Sequence, residues 1–156
     1  SQPNVEDAEE RFSKRKIDRS CDVPKGGKPI NERILNPLEI PADVRIYRYA
    51  AHTGRMIVDE DTCPPELVRK ARNTIRELNL NAPRLMRMRR EAVMMLEDEI
   101  ENALAAGEDM EEFLNVLAES FLLPDDNGNC QAFFSLIRWF LGPAAENVLS
   151  KYGYAI

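Results

Sequence analysis

The sequence predicts a mainly α protein: a bundle of about four to five helices over residues 63–156, behind a small β-hairpin at 44–58 and an extended N-terminal arm at 1–42. Three observations carry that reading. From Cys63 onward apolar residues recur three and four apart, the spacing that gathers them on one face of a helix. Only the short stretch 44–58 is rich in β-formers around a turn signal. Residues 20–42 contain Pro24, Gly26, Gly27, Pro29, Pro37 and Pro41 with no sustained apolar period, which marks a linker or arm. The organisation is therefore an arm at 1–42 and a single domain at 43–156.

Within the arm, residues 3–19 are a candidate short helix. Asn4 stands at the cap, Glu6, Asp7, Glu9 and Glu10 in the early turns, and Lys14, Arg15 and Lys16 in the late ones, an order that complements the helix dipole. Its apolar content (Val5, Ala8, Phe12, Ile17) is thin, so it needs a partner to stay folded. An arm of this composition does not hold a shape unaided, and it is expected to lie across neighbouring subunits.

Val44–Ala50 reads as a strand, His52-Thr53-Gly54 as a turn and Arg55–Val58 as the returning strand. Pro64 and Pro65 suit the opening of a helix that places Leu67, Val68, Ala71, Ile75 and Leu78 on one face, until Asn79–Asn81 breaks the run. A long helix follows from about Pro83 to Ala106, with Leu85, Met88, Ala92, Met95, Leu96, Ile100, Ala103 and Leu104 as its expected buried stripe. Gly107 stops it. Asp109 and Glu112 match a capping box for a helix burying Met110, Phe113, Leu114, Leu117, Phe121 and Leu122. After a turn at 124–129, residues 130–141 are apolar nearly all round, which predicts a central or interface helix. Gly142-Pro143 opens the last one, through Val148, Leu149 and Tyr152.

The net charge of -6 conceals a strong asymmetry. Residues 69–90 hold eight basic residues and one acidic, whereas residues 91–130 hold twelve acidic residues and no Lys or Arg. Adjacent blocks of opposite sign make a dipolar surface, able to attract an anionic partner at one end and a cationic one at the other, or to pair head to tail with a copy of itself. The three cysteines, Cys21, Cys63 and Cys130, are odd in number and unpaired in spacing. That suits free thiols in a reducing compartment: cytoplasm, organelle matrix or the interior of a virion. No apolar run approaches the about 20 residues that span a bilayer, so no membrane insertion is expected.

The expected docking residues are Arg84, Arg87, Arg89 and Arg90, with Arg76 extending the ridge, and the aromatic residues Phe133, Phe134 and Trp139. Arginines in the first turns of a helix oppose its dipole, which points to a use such as gripping carboxylates or phosphates. The alternative is a solvated face answering the chain's own Glu97, Asp98, Glu99 and Glu101. A nucleoprotein reading adds Arg69, Lys70 and Arg72, together with Arg45, Tyr47 and Tyr49 on one strand face as a stacking platform, Arg48 lying opposite. Against it, alternating tyrosines on a half-buried strand usually pack in a core.

Catalytic chemistry finds little support. Cys63 precedes a helix whose dipole would lower a thiol pKa, and His52 is the only histidine, but no orienting third residue is visible. Zinc held by Cys21, His52, Cys63 and Cys130 would need four ligands with no paired spacing. The loop Asp125–Asn129 lacks the Gly and Glu of a calcium loop, and no Glu-x-x-His accompanies Glu97 and Glu101. No phosphate- or dinucleotide-binding pattern occurs, so no cofactor and no small-molecule substrate are expected. The reading is a non-enzymatic structural or interaction subunit of a larger assembly, either homomeric (capsid- or filament-like) or accessory to a hetero-complex. The alternatives are a nucleoprotein component and a cysteine-dependent enzyme.

Overall fold

The structure, a computed structural model, describes residues 32–40 and 44–154. The expected helix at 3–19 and Cys21 lie outside the described residues. A 3-10 turn at Pro37–Glu39 comes first, then the antiparallel hairpin β1 (Tyr47–Ala50) and β2 (Arg55–Val58). Five helices follow: α1 (Pro65–Glu77), α2 (Pro83–Ala106), α3 (Met110–Leu122), α4 (Phe134–Leu141) and α5 (Pro143–Lys151). The described residues thus form the mainly helical fold with a leading hairpin that the sequence predicts.

The helix boundaries follow from local chemistry. Asn79 adopts a left-handed φ of 47°, and the Leu80 N–H turns back to the Ile75 carbonyl, closing α1 as a Schellman-type end. Gly107, at φ 74°, ends α2 in the same way, with the Glu108 N–H donating to the Ala103 carbonyl. The Asp109 carboxylate accepts from the Glu112 N–H at 3.0 Å and so satisfies one of the free amides opening α3. β1 is shorter than the expected Val44–Ala50 strand: the paired register runs from Tyr47 opposite Val58 to Ala50 opposite Arg55, with one further backbone bond from the Asp59 N–H to the Ile46 carbonyl at 2.8 Å.

Three apolar clusters hold the body together. The largest joins Leu96 of α2 to Leu117 and Leu122 of α3, Ile137 and Leu141 of α4, and Val148 and Leu149 of α5. A second gathers Leu35, Ile46, Val58, Cys63 and Ala71 between the hairpin and α1. Tyr49, Val93 and Leu136 form the third, where the hairpin, α2 and α4 meet. The apolar α4 is the central helix, touching α2, α3, α5 and β1.

Two expectations are corrected here. Residues 32–40, expected within an arm reaching for neighbours, dock on this chain's own α1. Leu35 is buried, its N–H donates to Thr74 Oγ1 at 2.9 Å, and the Asn73 amide donates to the Arg33 carbonyl. Leu35, Ile40 packed on the same cluster, and two hydrogen bonds seat a segment without apolar periodicity, and the packed body begins before residue 43. Thr74→Val should therefore cost about 1–3 kcal/mol in chemical denaturation, since it leaves the Leu35 amide buried without an acceptor. A loss under about 0.5 kcal/mol would show that the segment is not seated.

The second correction concerns α2. Its buried face is Arg89, Val93, Leu96 and Ala103, whereas Met88, Met95 and Leu104 of the expected stripe are exposed. The helix is rotated because the hairpin turn occupies the groove beside Met86 and Arg89 and draws the arginine inward.

Candidate interaction surfaces

The basic run divides by helical phase. Arg89 is only 6% exposed: its guanidinium donates to the Gly54 carbonyl at 3.2 Å and stands 5.8 Å from the centre of the Tyr49 ring. Arg89 therefore belongs to the interior, correcting its expected place among the docking residues. Arg90 donates to the His52 carbonyl at 2.9 Å, and Asn81 clasps Met56 through both its N–H and its carbonyl, at 2.8 and 2.9 Å. Together these side chains fasten the hairpin to the start of α2.

Arg87 points outward and its nearest carboxylate is Glu91, one turn on and 4.0 Å away. Arg84 is half-buried beside it. Arg76 does not continue their ridge; it lies on α1 and donates to Asn73 and Glu77. Ala82 supplies no side-chain cap to α2, and its first turn holds no acid, so the arginines there do oppose the dipole.

The outward side of α2 is ordered along its length. Arg84, Arg87, Glu91, Met94, Asp98, Glu101 and Ala105 recur at alternating spacings of three and four, one stripe along a helix. All but Arg84 are exposed. Met88 and Met95 flank the stripe at its middle, 37% and 46% exposed. Cations thus occupy one end and carboxylates the other, and the centre holds Glu91 and Met94 with the two flanking methionines.

The aromatic residues form a different surface. Trp139 packs edge-on against Tyr49, with ring centres 5.7 Å apart. Phe134, Trp139, Tyr47, Tyr49 and Met56 line an apolar cavity of about 350 Å³ between the hairpin and α4. Phe133 takes a left-handed φ of 61° at the start of α4 and packs on the Tyr49–Val93–Leu136 cluster. At the cavity edge Glu146 of α5 binds Arg138 through both oxygens, at 2.8 and 2.9 Å, and Arg45 at 2.5 Å. These bonds, Arg138 foremost, hold the Glu146 carboxyl below the usual glutamate value and raise Arg138.

The stacking platform imagined for nucleic acid is not formed. Tyr49 is 7% exposed and packed, and Tyr47 donates to the Ala71 carbonyl in a site whose burial pushes its hydroxyl up to about 12. Arg45 is engaged by Glu146, and Arg72 by Glu60. Arg69 and Lys70 do come together, with Arg33 and Arg76, around a depression of about 320 Å³ that also includes Glu32 and Asn73. Arg33 was missed in the sequence because the fold-back of residues 32–40 that brings it there is invisible in hydrophobic periodicity.

Cys63 is buried, and its thiol is raised rather than lowered, first by burial and then by the carboxylates of Glu66, Asp59 and Glu60. That reverses the expected effect of the helix start. Among the described residues no three His, Cys, Asp or Glu side chains assemble as a metal site, and no helix is long and apolar enough to cross a membrane. No known protein family matches this chain, and no curated protein matches it in sequence.

Proposed function

We propose that this chain is a non-enzymatic structural and interaction subunit of a larger protein assembly. The observation that carries the reading is α2: a 24-residue helix with one side in the core and the other presenting methionines between arginines and carboxylates. An apolar centre inside a charged rim is the anatomy of a protein–protein contact. The aromatic cavity beside α4 is a further docking element, and so is the part of the expected arm that precedes the seated segment 32–40. The raised Cys63 thiol favours this reading over a cysteine-dependent enzyme, whose nucleophile needs the thiolate.

The native particle's mass, measured together with its absorbance ratio at 260 and 280 nm, tests the proposal. The expected result is a particle heavier than the polypeptide with a protein-like ratio. A solitary polypeptide of 17.8 kDa at physiological salt would overturn it. The second reading, a nucleoprotein component, draws on the Arg33, Arg69, Lys70 and Arg76 depression. It requires a nucleic-acid-like ratio and affinity that falls by roughly one log–log unit with salt per phosphate contacted.

A further inference from the structure

We infer that the outward face of α2 binds a second copy of this chain, the two helices running antiparallel across a two-fold axis level with Ala92 and Val93. The inference deepens the proposed function by naming the partner, and it rests on that reading.

The half-buried Arg84 and the exposed Arg87 lie at one end of the stripe, Asp98 and Glu101 at the other, and Glu91 and Met94 between them with Met88 and Met95 alongside. Turning a second copy end for end about the middle sets Arg84 opposite Glu101 and Arg87 opposite Asp98, and does so twice by symmetry. The same rotation sets Met94 level with Glu91 and brings Met88 of each copy near Met95 of the other. A parallel copy would set arginine against arginine and carboxylate against carboxylate. The pattern is thus self-complementary in one orientation only.

Size and chemistry agree. A helix of this length runs about 36 Å, long enough for several turns of side chains on each side of the axis. Exposed ion pairs contribute little each, so orientation comes from the charges and affinity from the unbranched methionines, which repack readily against one another. The face is not covered by any described element: α2 meets α3, α4 and β2 through Arg89, Val93, Leu96 and Ala103 on its opposite side.

The test is sedimentation of the full chain alone across micromolar to hundred-micromolar concentrations. The wild type should dimerise reversibly, more weakly as salt rises. Arg84→Glu/Arg87→Glu and Asp98→Lys/Glu101→Lys should each weaken the dimer by about tenfold or more. The chain carrying all four changes should dimerise again, and an equimolar mixture of the two double variants should form a heterodimer. Rescue by the fourfold change is the diagnostic, because it places cation against anion only in the antiparallel arrangement. Arg87→Glu and Asp98→Lys alone, both at exposed positions, serve if a double variant fails to fold.

A wild-type chain that stays monomeric throughout, while the native particle is heavy, would overturn this inference and leave the proposed function standing. A native particle that is itself a lone polypeptide would remove both. Undiminished dimerisation of the double variants would overturn the α2 contact. So would a dimer lost on deleting residues 1–31 but unaffected by Arg87→Glu, which would assign it to the arm.

Discussion

Replacing Gly54 by alanine should destabilise the protein by about 3 kcal/mol or more, a large effect for one added methyl group. Gly54 closes the hairpin: its N–H donates to the Ala50 carbonyl at 2.8 Å, and its φ of +70° costs a residue with a Cβ about 1–2 kcal/mol. Beyond that local strain, a Cβ would lie 2.0 Å from the Met86 carbonyl oxygen and 3.0 Å from the Arg90 nitrogen. Both are backbone atoms of α2, which cannot yield as a flexible side chain would. The turn must lift off the helix. Lifting would lengthen the Arg89–Gly54 and Arg90–His52 bonds and loosen Tyr49 from Val93 and Leu136. Urea denaturation of Gly54→Ala against wild type measures the cost. A loss below about 1 kcal/mol would mean that the turn does not sit against α2.

The contrast between Gly54 and its neighbours shows what the sequence does and does not disclose. The turn at 52–54, the start at Pro83, the stop at Gly107 and the cap at Asp109 are legible because each depends on one residue's backbone preference or on a side chain two or three residues away. Such signals are local. What was not legible is tertiary. Nothing in a periodic pattern says that Leu35 and Ile40 will anchor a proline-rich segment, or that Thr74 will supply the acceptor the Leu35 amide needs. The rotation of α2 has the same origin. Its apolar residues cover more than half the helix circumference, so several phases bury about equal area, and the choice among them falls to the hairpin turn. Once Met86 and Arg89 face that turn, Met88, Met94 and Met95 are left outside. The candidate surface on α2 is therefore a consequence of the hairpin's docking, visible in sequence only as a block of bases followed by a block of acids.

The second large effect is expected at Arg89, and it separates two roles inside one basic run. Arg89→Ala should cost about 2–4 kcal/mol, combining the cavity left by the stem with a Gly54 carbonyl deprived of its donor. Arg89→Met should cost less, since a chain of similar length refills the space while the carbonyl still loses its partner. Arg89→Lys should not restore wild-type stability, because an ammonium cannot reproduce a planar group that reaches Gly54 and faces Tyr49 at once. Arg87→Glu, two residues away and pointing into solvent, should leave stability within about 0.5 kcal/mol of wild type. Denaturation of these variants beside their sedimentation thus splits the run: Arg89 changes the first measurement, Arg87 the second. Combining Arg89→Ala with Gly54→Ala should cost clearly less than the sum of the two, because each breaks the same joint between hairpin and helix. Full additivity would mean that the arginine stabilises something other than the seated turn, and the rotation of α2 would then need a different cause.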